Sequence, residues 1–121
     1  FGSKIDKNGK VNNQYYTVKK IINPNMLVLN NDIKIKLLGI EINENKKKEA
    51  ISFIKHKIKG EQVFLKFDEV KYDQNKYLMV YLYLKNKTFI NAHLIKNGYA
   101  DIDLEYPFKY KEKFFKIIKD R

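Results

Sequence analysis

The sequence predicts an α+β domain: a five-stranded antiparallel β-barrel with three helices, in the order β-β-β-α-β-β-α-α. Three observations predict it. Up to Ile40, short runs rich in β-branched and aromatic residues are separated by turn residues, the pattern of consecutive strands. After Asn45 the hydrophobic period becomes helical, with Ala50, Ile51, Ile54 and Ile58 on one stripe and Gly60 closing it. Two more strand-like runs then lead into two short helical stretches.

Residues 1–13 are polar and aperiodic and read as a disordered N-terminal arm, which leaves 14–121 as a single domain. "YYTVKKII" at 15–22 is the first strand. "NPN" at 23–25 is a turn, because Pro24 fixes its own φ and asparagine tolerates unusual dihedrals. "MLVL" is the second strand, and "NND" at 30–32 the next turn. "IKIKLLGI" at 33–40 alternates and then turns continuously apolar, as a strand does when it passes from a half-exposed to a buried position. "QVFLKF" at 62–67 and "LMVYLYL" at 78–84 are strands four and five, joined by a polar loop. Asn91 reads as the N-cap of a short helix closed by Gly98. Pro107 opens the last helix, with Tyr110, Phe114, Ile117 and Ile118 on one stripe. Five strands with a helix between the third and fourth are the OB-fold order, a common nucleic-acid-binding platform.

Composition narrows the function classes. The chain of 121 residues suffices for one domain with a real core. No apolar stretch approaches the roughly 20 residues needed to cross a bilayer, so the reading is a soluble, monomeric domain without a membrane span. There is no cysteine, hence no disulfide, thiolate metal site or thiol nucleophile. The chain begins at Phe1 without Met, which reads as a trimmed or processed N-terminus and leaves secretion or surface attachment open. Phe1-Gly2-Ser3 also fits a cloning scar. The net charge of +11 favours an anionic partner such as nucleic acid. Of the 25 cations all but Arg121 are lysine, a habit of composition that assigns part of the charge to solvated surface.

Four stretches carry a more specific signal: "KIKLLGIEINE" at 34–44, "EAISFIK" at 49–55, "MVYLYLKNKTFINAHLIKNGYA" at 79–100 and "YPFKYKEKF" at 106–114. In order and spacing they resemble the staphylococcal nuclease (thermonuclease) family from about Tyr15 to Arg121. The resemblance implies an OB-fold that binds Ca²⁺ and cleaves DNA and RNA. That chemistry uses carboxylates to hold a hard cation, a glutamate to activate water and two arginines to neutralise the phosphate.

Carried over position by position, the resemblance implies a depleted site. The first metal ligand, an aspartate in the family's D-G-D-T turn, is Asn25, and the second is Glu41. The catalytic glutamate is retained as Glu44. The first arginine is Lys36, a point charge in place of a bidentate fork. The second falls on Tyr77 in Asp73-Gln74-Asn75-Lys76-Tyr77, with Lys76 beside it as its substitute. Tyr106 falls near where the family stacks a base. Each missing metal charge or phosphate clamp costs about 10²–10³ in rate. The expectation is therefore a domain that binds nucleic acid electrostatically, through Lys36, Tyr77 and Tyr106 among others, with a degenerate active site and weak or absent Ca²⁺ binding and hydrolysis. Two alternatives stay open. One is an active metal-dependent phosphodiesterase using Glu41, Glu44, Asn25, Lys36 and Lys76. The other is a protein-interaction module on a retired nuclease fold.

Several of these residues also have plainer readings. Glu41 and Glu44 suit a helix N-terminus, where the macrodipole favours acids, and Lys36 suits a lysine snorkelling from a barrel edge. Asn25 is also a turn residue. Tyr72 and Tyr99 join Tyr77 and Tyr106 as candidates for stacking, whereas Tyr81 and Tyr83 read as sheet packing. His56 and His93 read as surface or packing residues, and "NKKKEA" at 45–50 as a basic cluster by the cleft mouth.

Overall fold

The computed structural model describes residues 3–5 and 11–121. The expected disordered arm at 1–13 falls mainly outside the described residues. Its two described pieces, β1 (Ser3–Ile5) and β2 (Val11–Asn13), pair antiparallel.

The body of the chain is α+β, with three helices and a mixed five-stranded sheet. The strands are β3 (Val18–Asn23), β4 (Met26–Leu29), β5 (Lys34–Leu37), β7 (Val63–Lys66) and β8 (Leu78–Leu84). They lie in the order β3-β4-β5-β8-β7. This corrects the antiparallel expectation: β5 and β8 are parallel, with Ile35 opposite Leu78 and Leu37 opposite Val80. The reason is topological. β7 and β8 form an antiparallel hairpin with β7 at the edge. β8 therefore enters beside β5 after a helical crossover, running in the same direction. The expected closed barrel is corrected too, because the edge strands β3 and β7 share no ladder. A single bridge joins them through Tyr16 and Val63, with both N–H···O distances at 2.8 Å.

The run 33–40 is not one strand. It breaks at Leu38-Gly39, where Gly39 takes φ +78°, and resumes as β6 (Ile40–Ile42). β6 pairs with β9 (Ala100–Ile102), a three-residue strand with no visible period in the sequence. This pair places Glu41 directly opposite Asp101.

The first helix, α1 (Lys47–Ile58), buries Ala50 and Ile54 and ends before Gly60, whose φ is +69°. The second, α2 (Ile90–Lys96), corrects the reading of Asn91 as a cap. Asn91 lies inside the helix, fully buried, and Phe89 holds the cap position. Its side chain spans three backbone groups: Oδ1 accepts from Leu82 N–H at 2.9 Å, and Nδ2 donates to Leu38 O at 3.0 Å and Val80 O at 3.1 Å. The third, α3 (Lys111–Asp120), starts four residues later than Pro107 and buries Phe114. The core is continuous between the inner face of the sheet (Leu27, Leu29, Ile35, Leu37, Leu65, Leu82) and the helices, through Ile54, Ile90, Leu94 and Phe114. Arg121 donates to Ile95 O, Ala100 O and Asp101 Oδ1, so it binds α3 to α2 and β9. No helix among the described residues is long and apolar enough to cross a membrane.

Candidate active site

A cleft of about 310 Å³ opens where the β3–β4 turn, β5 and β6 meet. Four of the expected residues line it together: Asn25, Lys36, Glu41 and Glu44. Two more ionisable residues join them, Lys47 and Asp103.

Each is placed by a local cause. A two-residue connection, Pro24-Asn25, turns β3 into β4. Asn25 then staples that turn to the sheet: its carbonyl accepts from Leu37 N–H at 2.9 Å, and its Nδ2 donates to Ile40 O at 3.2 Å. Glu41 projects from β6 into solvent. Glu44 opens a 3₁₀ turn (Glu44–Lys46), which Asn43 caps by accepting from Asn45 N–H at 3.1 Å. That turn runs straight into α1, which brings Lys47 to the rim. Asp103 is held by its backbone, whose N–H reaches Gly39 O at 3.0 Å. It was not legible beforehand, because β9 delivers it and three residues give no periodic signal.

Lys36 is committed elsewhere. Its Nζ lies 3.7 Å from Asp73 Oδ2, and the two side chains are only 22% and 3% exposed. Asp73 is itself fixed, since its Oδ1 accepts from Asn75 and Tyr77 N–H, both at 2.9 Å. Lys76 and Tyr77 sit on this 73–77 turn and are not part of the cleft lining. Tyr106 latches the same turn, its hydroxyl accepting from Gln74 N–H at 3.0 Å. Its ring is half-buried beside Lys36 in a narrow crevice that also takes in Asp103. The turn is thus joined to the cleft through Lys36 and Tyr106, and the lysine faces a buried carboxylate.

The charge balance follows. Three carboxylates (Glu41, Glu44, Asp103) line the cleft against two ammonium groups, and one of those already faces Asp73. A chain of net charge +11 therefore carries a locally acidic cleft. A phosphate entering it meets more repulsion than attraction.

The profile described as Staphylococcal nuclease homologue matches residues 34–120, well over half of the chain. The chain belongs to the staphylococcal nuclease family. Among curated proteins, none matches it. Nuclease-family proteins are in general Ca²⁺-dependent, and the donors here do not fit that ion. Among the described residues, no three His, Asp or Glu side chains are placed to hold a metal together. The Asn25 amide, whose N–H₂ is bound to Ile40 O, brings no charge. Calcium takes carboxylates together with amide and backbone carbonyls and waters, and its affinity falls as the charged ligands become fewer.

One consequence for this nuclease-like site is direct. Asp73→Asn keeps an acceptor for the Asn75 and Tyr77 amides and removes the charge facing Lys36. Oligonucleotide affinity at low salt is expected to change by no more than about 2-fold, since Lys36 lies in a cleft lined by more carboxylates than ammonium groups. Anisotropy titrations check this; a rise of about 5-fold or more would mean that Lys36 faces the ligand directly.

Proposed function

We propose that the domain is an OB-like, nuclease-derived module that binds nucleic acid by charge and has weak or no hydrolytic activity. The observation that carries this reading is that Lys36, in an acidic cleft, faces the Asp73 carboxylate behind it. The group positioned to neutralise a developing phosphorane charge is already neutralised. The strand order, with one bridge between the edge strands, supports an OB-like sheet. In this reading Asn25 and Glu41 are remnants of a metal site, and Glu44 has the position of a water-activating base without a metal. Lys36, Lys76, Tyr77 and Tyr106 contribute at most peripheral contacts to a strand.

The reading is tested by measuring the affinity for a single-stranded oligonucleotide against salt, with EDTA or Ca²⁺ present. We expect binding that weakens steeply with salt and is indifferent to EDTA. Binding that requires Ca²⁺ would contradict it. A second reading, a metal-dependent phosphodiesterase, is favoured by the meeting of Asn25, Lys36, Glu41 and Glu44 in one cleft; it predicts turnover that depends on Glu44. Retention of the fold purely for protein interaction predicts no more binding than an unrelated protein of equal charge.

A further inference from the structure

If the cleft is acidic, the positive charge that meets nucleic acid lies elsewhere. The register of the β7–β8 hairpin shows where. Phe64 stands opposite Tyr83, and Lys66 opposite Tyr81. Alternation puts these four on the side of the ribbon opposite Val63, Leu65, Leu82 and Leu84, with Tyr81 itself fully buried there. The aromatic side chains on that side form a continuous array, part of it buried. Phe64 stacks on Tyr83 at 5.1 Å and Tyr83 on Phe89 at 4.6 Å. Tyr110, at the start of α3, meets Phe89 at 5.3 Å and Tyr81 at 4.8 Å edge-on, and Tyr15 closes the other end 6.0 Å from Phe64.

Four lysines lie over this array. Lys66 sits 5.4 Å from the Tyr83 ring, Lys85 5.2 Å from Tyr15, Lys109 5.2 Å from Tyr110, and Lys113 5.5 Å from Phe89. All four are exposed, and none forms an ion pair among the described residues. One acid, Asp68, is bonded to residues of this face. Its carboxylate accepts from the Tyr81 hydroxyl and from the Lys109 and Glu69 N–H groups. Burial pushes the Asp68 carboxyl up, but those hydrogen bonds outweigh it and hold the group below the usual carboxylate range. The Lys109 charge also acts on it, but none of the four lysines is closed into an ion pair among the described residues. Resting on rings, their side chains have less freedom to lose when an anion binds.

We propose that this lysine-fringed aromatic face, and not the cleft, is the surface that takes the phosphate backbone of a nucleic-acid strand. The proposal rests on the reading that the domain binds nucleic acid. Phe64, Tyr81 and Phe89 are buried, so bases have little ring surface to stack on, and recognition is of backbone charge without sequence preference. The face shares no residue with the lining of the cleft.

The test is fluorescence anisotropy with labelled oligothymidylate over a salt series. Three proteins are compared: wild type, a variant with Lys66, Lys85, Lys109 and Lys113 all changed to Gln, and a charge-matched variant with Lys20, Lys34, Lys55 and Lys59 changed to Gln. Four phosphate contacts on a single strand imply a log–log salt slope of about −3 from this face, or about 50-fold in affinity between about 50 and 200 mM salt. The face variant is expected to lose that slope and to bind at least about 30-fold more weakly at low salt. The charge-matched variant is expected to stay within about 3-fold of wild type, since none of its lysines lies over the aromatic array. A further variant with the same four face lysines changed to Arg keeps charge and ring contact, and is expected to bind as wild type. Thermal melts establish that each variant is folded. Equal losses in the two Gln variants, or a face variant that binds as wild type, would overturn the proposal while leaving nucleic-acid binding intact. Wild type that fails to bind the oligonucleotide but binds anionic phosphatidylserine vesicles would overturn both the proposal and the reading beneath it.

Discussion

Asn91→Ala is expected to cost about 4 kcal/mol of folding stability, a large part of the roughly 5–15 kcal/mol available to a domain of this size. The fully buried amide serves three backbone groups on two segments, Leu82 N–H and Val80 O on β8 and Leu38 O after β5. Alanine leaves these groups desolvated and without that partner. Each such loss costs about 1–3 kcal/mol, partly shared because Val80 O also accepts from Leu38 N–H at 2.9 Å. Asn91→Asp is no rescue, since it keeps the acceptor for Leu82, removes both donations and buries a charge. The comparison is Asn97→Ala, an exposed amide bonded to His93 O, where the loss is expected to be below about 1 kcal/mol. Urea denaturation midpoints for the two variants check this. An Asn91→Ala loss as small as that of Asn97→Ala would show that the three groups find other partners. The effect reaches the cleft, because Leu38 immediately precedes the Gly39-Ile40-Glu41 corner.

Gly39→Ala is expected to destabilise by about 2–4 kcal/mol. Two independent costs add here. The backbone sits at φ +78°, where a Cβ costs about 1–2 kcal/mol. A Cβ at this position also falls 2.8 Å from Cε2 and Cζ of Phe108. That ring is buried and packs against Phe114 at 5.4 Å, so it has little room to withdraw. The double variant Gly39→Ala, Phe108→Leu relieves the clash and not the dihedral. Relative to Phe108→Leu alone, adding Gly39→Ala is then expected to cost only about 1–2 kcal/mol. Thermal unfolding of the three variants separates the two costs. A Gly39→Ala protein as stable as wild type would mean that the corner re-forms with another geometry. Because Ile40 O holds the Asn25 amide, such a shift would also displace Asn25 from Glu41.

Local pattern made much of this fold legible. Alternation in "IKIKLL" gives β5, the stripe through Ala50 and Ile54 gives α1, and the glycines after α1 and α2 mark their ends. What escaped was the product of distant packing. The direction of β8 against β5 depends on a crossover between them. The β6–β9 pair is too short to show a period. Asn91 has the composition of a cap, but its role comes from strands that lie before it in sequence. The site divides the same way. Asn25, Lys36, Glu41 and Glu44 were nameable because they lie in one motif-bearing stretch and its neighbouring turn, and they do line one cleft. Asp73 and Asp103, which change the electrical character of that cleft, arrive from elsewhere in the chain. Lys76 and Tyr77, placed by resemblance alone, sit on the adjoining turn.

We propose that the domain keeps a nuclease-like fold with weak or no hydrolytic activity. The most direct test of that reading is a cleavage assay on single-stranded DNA and RNA with Ca²⁺, Mn²⁺ or EDTA, run beside Glu44→Gln. Little or no cutting above the background of Glu44→Gln is expected under any of the three conditions. Substantial metal-dependent cutting that Glu44→Gln abolishes would contradict the reading, and would mean that Lys36 and its neighbours serve where the family uses arginines.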